Sequence, residues 1–289
     1  MFKEIFTKGN RLIERPDRLR VSAVNKLTQF TGRPFETSVK LSCGSVMRVK
    51  LPENVSTVLA YEGDYEPEIS RMIEGSITPE DNFFDIGAHY GLRTLQANQI
   101  LQGNGNIVAF EPSPEALRML HTNCDMLPNV TIVDSAVSSS SGNTLNLTVL
   151  PTKFEASNTL GQVPRLPAEI LAKIKTHSLP VKTISIDDFV SESGIVPNLI
   201  KIDAENHEMP ILEGSHATLS ICLPSVIMET GDCGRTPENS TQACLDLLGN
   251  LGYGFHSWNG NGLKPLSETS HSDQGNVLAI HKTKYLRQL

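Results

Sequence analysis

The sequence predicts an α/β fold built on a mostly parallel sheet with helices on both faces. Three observations carry this expectation. Short apolar runs such as NFFDIG, NIVAFEP and NLIKID recur from Asn82 onward, each the length of a buried strand rather than a helix. Amphipathic segments separate them, which calls for parallel strands joined by right-handed crossovers. Near the end, YGFHSW and NVLAIHK are linked by a polar loop without a helix, so one of that pair runs antiparallel.

Taken in order, Met1–Arg33 is locally basic, with eight Lys/Arg against three Asp/Glu, and Phe2, Ile5, Phe6, Leu12 and Ile13 share a helical spacing. It reads as a capping helix packed on the main domain, or as a helix for a membrane surface or a partner. Lys40–Leu51 alternates as a β-hairpin does, and Tyr65–Ile77 places Ile69, Met72, Ile73 and Ile77 on one helix face. The first strand, NFFDIG, feeds a helix over Leu92–Leu101. The second, NIVAFEP, feeds a helix over Pro114–Leu127 with Leu117, Leu120, Cys124 and Leu127 in one stripe. NVTIVDSAV is the third strand, and SGNTLNLTVL a turn and an extra strand. Pro151–Pro180 breaks the alternation with four prolines and one short helical piece, AEILAKI; it is either a surface loop or a lid over the ligand crevice. NLIKID is the fourth strand, Met209–Leu219 a helix and PSVIMET the fifth strand. The chain thus divides into an N-terminal extension (1–60, helix plus hairpin) packed on the core and an α/β domain (61–289) with an insertion at 151–180.

Composition narrows the function. A chain of 289 residues is long enough to bury about three-quarters of its unfolded surface without a disulfide or metal. A net charge of −7 disfavours a nucleic-acid partner, so small or neutral substrates are expected. The five cysteines, Cys43, Cys124, Cys222, Cys233 and Cys244, are odd in number and show no CxxC spacing, which argues against a disulfide framework and a zinc site. With no apolar run long enough to span a bilayer and no apolar signal-peptide core at the N-terminus, a cytoplasmic protein without an integral membrane segment is expected.

The turn in NFFDIGAHYGLRT carries the chemistry. A strand feeding a glycine turn and a helix presents backbone N–H groups and a positive helix end. Gly87 suits a tight turn, and Gly91 a close approach of ligand or helix. The dinucleotide fingerprint G-x-G-x-x-G fails here, because its second and third glycines fall on His89 and Leu92. The phosphate loop fails too, having no Lys-Ser/Thr. Glu111, at the end of the next strand, stands where an acid hydrogen-bonds ribose hydroxyls. The remaining fit is a small nucleoside that bears an amino acid.

At these residues the chain resembles the FkbM family of S-adenosylmethionine-dependent methyltransferases: DIGAHYG, AFEPSPEA, LIKIDAENHE with ILEGS, PSVIMET, and YEGDYEPE upstream. The resemblance runs from Tyr61 to Thr230 and departs at Asn206, where the family has Gly. It implies a Rossmann-like class I methyltransferase with a seven-stranded sheet, order 3-2-1-4-5-7-6, and S-adenosyl-L-methionine as cofactor. It places Gly87, Ala88, His89 and Gly91 against the methionine moiety. Asp85 supports the turn or receives the amino group, and Thr94 adds a hydroxyl. Glu111 takes the ribose diol, Pro112 and Ser113 flank the adenine, and Ser135 and Ala136 lie on its other side.

Beyond the fourth strand, Asp203, Glu205, His207 and Glu208 cluster on the crevice side, with Asp203 also at the cofactor. Methyl transfer to a hydroxyl needs an in-line arrangement and a proton acceptor. His207 suits a general base oriented by Asp203, while helix capping explains one or two of the acids. No metal is expected, since no second His lies at ligand spacing. Tyr65, Glu66 and Tyr90 are candidates for acceptor contacts. The expectation is O-methylation of a hydroxyl on a sugar, glycolipid or natural product, with the oligomeric state open and a homodimer among the options. The alternatives are N-methylation or a non-catalytic cofactor- or partner-binding fold mate.

Overall fold

The structure, a computed structural model, describes residues 17–31, 33–160, 164–231, 236–266 and 275–284. Phe2, Ile5, Phe6, Leu12 and Ile13, read above as a helix face, lie outside the described residues, as does Cys233.

Asp17–Thr31 (α1) precedes an antiparallel hairpin, Phe35–Lys40 (β1) and Val46–Leu51 (β2), and the helices Asn54–Glu62 (α2) and Pro67–Ser76 (α3). The hairpin begins one strand earlier than expected: Lys40–Leu51 holds only its turn and second strand. Then come Phe83–Ile86 (β3), Leu92–Leu101 (α4), Ile107–Phe110 (β4), Pro114–Cys124 (α5) and Val130–Val133 (β5). Ala136–Val137 (β6), Thr144–Val149 (β7), Thr159–Leu160 (β8), Ala168–Leu171 (α6) and His177–Ile184 (β9) follow. Ile186–Ser193 (α7) leads to Leu199–Ile202 (β10), Glu208–Glu213 (α8), His216–Ile221 (α9) and Ser225–Glu229 (β11). Thr241–Asn250 (α10), Tyr253–Trp258 (β12), Leu263–Pro265 (β13) and Asn276–His281 (β14) end the described chain.

The main sheet has eight strands in the order β13-β12-β14-β11-β10-β3-β4-β5. From β11 through β5 all pairs are parallel, and β14 runs antiparallel to both its neighbours. The expected count of seven is therefore corrected to eight. Without β13, the seven strands stand in the order 3-2-1-4-5-7-6; β13 is three residues inside a polar loop and carries no apolar run.

The central strands are buried on both faces, and this is why they read as unbroken apolar runs: Phe83, Phe84, Ile107, Val108, Leu199 and Ile200 are all fully enclosed. On one face, Ile186, Ile211, Leu219 and Leu248 from α7–α10 pack against Phe84, Val108 and Ile200. On the other, Ile69 and Ile73 of α3 and Ala97 and Leu101 of α4 cover Phe83, Ile107 and Leu199. The N-terminal hairpin and α2 share a third core with the glycine turn and α5: Met47, Val49, Leu51 and Leu59 meet Tyr90, Leu92 and Leu120.

Three elements differ from expectation. NVTIVDSAV is split into β5 and β6, the second of which leaves the main sheet to pair with β9. The insertion at 151–180 is not free of sheet: β8 and the first half of β9 belong to a smaller four-stranded sheet, order β6-β9-β7-β8. Pro180 hides β9 in the sequence, because proline cannot donate to a ladder. It sits opposite Asn146 of β7, where β6 does not reach. Finally, Met209–Leu219 is broken at Gly214, where a Cβ would stand 2.1 Å from the Ser138 carbonyl oxygen.

Candidate active site

The site begins at the turn after β3. Gly87 has φ 74°, and a Cβ there would lie 1.9 Å from the Asp203 carbonyl oxygen, so only glycine lets the turn pass beneath the loop after β10. Gly91 has φ 94°, and its missing side chain makes room for Leu120 and Cys124 of α5. Of the two reasons for a close approach at Gly91, helix packing is the one present.

Asp85, expected either to support the turn or to meet the cofactor, is fully buried behind the turn. It accepts a 2.7 Å hydrogen bond from Thr94 Oγ1 and lies 3.4 Å from Lys201 Nζ. The Lys201 ammonium also donates to the Gly87 carbonyl at 3.0 Å and lies 3.4 Å from Asp203. A buried charge needs such partners, and here they bind the turn to the loop after β10. Of its two expected roles Asp85 has the first, support of the turn, and Asp85, Thr94 and Gly91 stand behind the residues that line the cavity, where Thr94 and Gly91 were expected to meet the ligand.

The cavity in front of the turn is lined by Gly87, Ala88, His89 and Tyr90, by Glu111, Pro112 and Ser113, and by Ser135 and Ala136. Tyr65, Glu66, Asp203 and Glu205 line it as well. The Glu111 carboxylate accepts from the backbone N–H of Ser113 and of His89, each at 2.8 Å. Those two bonds orient it and leave each oxygen a lone pair for a ligand hydroxyl. Burial pushes its pKa up to about 7, against the lowering effect of the two amides. His89 is held at φ 51°, stacks on Tyr90 with ring centroids 3.9 Å apart, and has its pKa lowered to about 3 by burial. Its Nε2 is buried without a hydrogen-bond partner among the described residues. The Ser113 hydroxyl accepts from Asn158 Nδ2 at 3.2 Å, and the Tyr90 hydroxyl donates to Glu155 at 3.2 Å. Asn158 and Glu155 both come from the insertion, which is thus a wall of the cavity.

The opposite end is acidic. Asp203, Glu205 and Glu229 each place a carboxylate oxygen within 4.8 Å of the others, a spacing within reach of a divalent cation. Lys201 and Arg165 already bring positive charge there: Arg165 pairs with Glu229 and donates to Asn206 Oδ1 at 2.6 Å. Burial raises Glu205 well above the usual carboxylate range, and the neighbouring Asp203 raises it further. Glu229 is raised by the same two causes, and Glu66 reaches about 7. Glu205 Oε2 is buried without a hydrogen-bond partner among the described residues. Glu205 and Asn206 have φ of 48° and 76°. Asparagine tolerates that region, so the turn stands without a glycine at 206, and the Asn206 side chain gains Arg165.

The expected Asp203–His207 pair is not formed. His207 precedes α8 as its N-cap, its Nε2 lies 3.0 Å from Ser138 Oγ, and it is absent from the cavity wall. Burial lowers its pKa to about 4. Its ring is turned toward the smaller sheet, so the base role expected for His207 is withdrawn.

Four contributors were missed in the sequence. Lys201 had a signal, a lone cation inside an apolar strand. Arg93 had the same signal inside α4; it is buried and donates to the carbonyls of Tyr65 and Glu66, fixing that part of the wall. Arg165 and Glu155, from an insertion without periodicity, had none.

A family model described as Methyltransferase FkbM domain matches residues 85–255. The hexuronic acid methyltransferase AglP of Haloferax volcanii is 30% identical over 156 residues, which cover 52% of this chain and 56% of that protein. The chain thus spans little more than half the length of this curated relative. Among solved structures, methyltransferase FkbM from Methylobacillus flagellatus aligns with a TM-score of 0.42 at 14% identity, over 78% of this chain and 54% of that one. Aeropyrum pernix fibrillarin, solved with S-adenosyl-L-methionine natively bound, aligns with a TM-score of 0.40 at 11% identity, over 84% of this chain and 93% of that one.

Proposed function

The chain belongs to the methyltransferase FkbM domain family, and from that premise we propose that it transfers the methyl group of S-adenosylmethionine to a hydroxyl of a sugar-class acceptor. The observation that carries this reading is one cavity with Glu111 beside the glycine turn at one end and raised-pKa carboxyls at the other. The 30% identical relative is a hexuronic acid methyltransferase, which supports the sugar class.

The residues fit the cofactor. Glu111 is a fixed acceptor for two ribose hydroxyls, with Pro112, Ser113, Ser135 and Ala136 beside it for the adenine. The buried, unsatisfied Nε2 of neutral His89 accepts or donates one bond there, by tautomer. Gly87, Ala88 and Tyr90 carry the methionine part, and Asp203 sits at the junction with the acidic end. When bound, the cofactor supplies an electrophilic methyl on a sulfonium.

The chain supplies position and a proton acceptor. Tyr65, Glu66 and Glu205 hold the acceptor by taking hydrogen bonds from its hydroxyls, which suits a polyol. With the bound cofactor supplying the methyl group, the Glu205 carboxylate would take the proton that the acceptor hydroxyl gives up. Its raised pKa makes it a better base than an exposed carboxylate. Since a base must start deprotonated, turnover rises with pH through the Glu205 titration.

The test is incubation with methyl-labelled cofactor and a panel of neutral sugars and uronic acids, with the methylated atom located by NMR. An oxygen-bound methyl is expected, and Glu205→Gln should lower kcat by about 10²-fold while cofactor affinity stays unchanged. A nitrogen-bound methyl, or full turnover in the variant, overturns the assignment.

A further inference from the structure

The N-terminal helix keeps one face on the protein and leaves another bare. Val21 and Thr28 of α1 are buried, and Val24 packs beside them against the core. On the other face Leu27 and Phe30, three apart, are 57% and 91% exposed, and Phe35 just beyond is 44% exposed. Lys26 and Arg33, also exposed, flank them. A phenylalanine left almost wholly in water marks a surface that meets something else.

Charge says what that is. The first 33 residues hold eight Lys/Arg against three Asp/Glu, in a chain whose net charge is −7. Among the described residues, the exposed cations Lys26 and Arg33 stand beside the bare apolar side chains, in a chain that is acidic as a whole. A chain of net negative charge is repelled by an anionic surface, so such a contact favours a face where exposed cations accompany apolar side chains. Bare Phe and Leu beside Lys and Arg match the headgroup boundary of a bilayer, where the apolar tips enter and the cations meet lipid phosphates. No described helix is long and apolar enough to cross a membrane, so the contact is peripheral.

Position adds a third reason. The helix α1 packs on α2 and β2, and Val55, Ser56 and Leu59 of α2 and Met47 of β2 line the cavity. One layer of structure separates the bare face from the site.

We propose that the α1 face formed by Lys26, Leu27, Phe30, Arg33 and Phe35 docks the protein on an anionic lipid surface. The docked orientation holds the cavity beside the bilayer, within reach of an acceptor carried on a lipid.

The test is co-sedimentation of the full chain with vesicles of phosphatidylcholine alone and of phosphatidylcholine mixed with phosphatidylglycerol. Binding is expected only to the mixed vesicles, weakening at high salt as screening requires. Leu27→Asp with Phe30→Asp should lower it about tenfold, as should Lys26→Glu with Arg33→Glu. All four side chains are exposed, so unchanged thermal unfolding separates lost docking from lost fold. Equal binding to both vesicle types, or variants that bind like the wild type, overturns the proposal. So does a change from dimer to monomer in the Asp variant without vesicle binding, which would assign the face to a second copy of the chain. The vesicle readout is independent of methyl transfer, so its failure leaves the catalytic reading standing.

Discussion

In the proposed ribose role Glu111 must be ionised to accept two hydroxyls, yet burial raises its pKa to about 7. A ligand that donates to the carboxylate favours the charged form and must displace any proton on it. Binding of S-adenosylhomocysteine should therefore weaken as pH falls, by about tenfold between pH 8 and pH 6 for a single group titrating at 7. In Glu111→Gln the affinity should be lower at pH 8 and nearly flat across that range. A flat wild-type profile by calorimetry would remove Glu111 from the ribose role. His89 supplies no competing slope, because burial keeps it neutral throughout that window.

Among the elements, the turn between β3 and α4 depends on two glycines for unequal reasons. At Gly87 an added Cβ meets the backbone of Asp203 at 1.9 Å, whereas at Gly91 it meets only the ends of Leu120 and Cys124 at 2.9 and 3.0 Å. Side-chain ends can yield and backbone cannot. Gly87→Ala should thus cost on the order of 3 kcal/mol and Gly91→Ala about 1 kcal/mol, read from urea unfolding midpoints. Equal losses would contradict the packing described at the turn. This turn was legible in the sequence because its causes are local: an apolar run, a glycine, then a helix. So were β3, β4, β10 and β11, buried on both faces. What was not legible depends on distant chain. Asp203 was expected to orient His207, but Lys201 from the preceding strand holds it and Ser138, just after β6, draws the imidazole away. β9 was concealed by Pro180, and Arg165 reaches Glu229 from a segment without periodicity.

At the scale of the whole molecule, the cavity lies among the C-terminal ends of the parallel strands, the smaller sheet with the segment 151–180, and the N-terminal hairpin with α2. Ligands of open α/β sheets bind at that strand edge. Here two additions close it. The insertion contributes Glu155 and Asn158 to the wall, and Lys50 of β2 joins Glu155 at 3.6 Å and Glu115 of α5 at 2.8 Å. This ion-pair network ties β2, α5 and the segment 151–180 together beside the Tyr90 hydroxyl. In the proposed function this enclosure is a site for S-adenosylmethionine organised by Glu111. Calorimetric titration of the purified full chain with S-adenosylhomocysteine tests it most directly. One saturable site per chain is predicted, weakened about tenfold or more in Glu111→Ala. No binding at millimolar ligand, or equal affinity in wild type and variant, would contradict it.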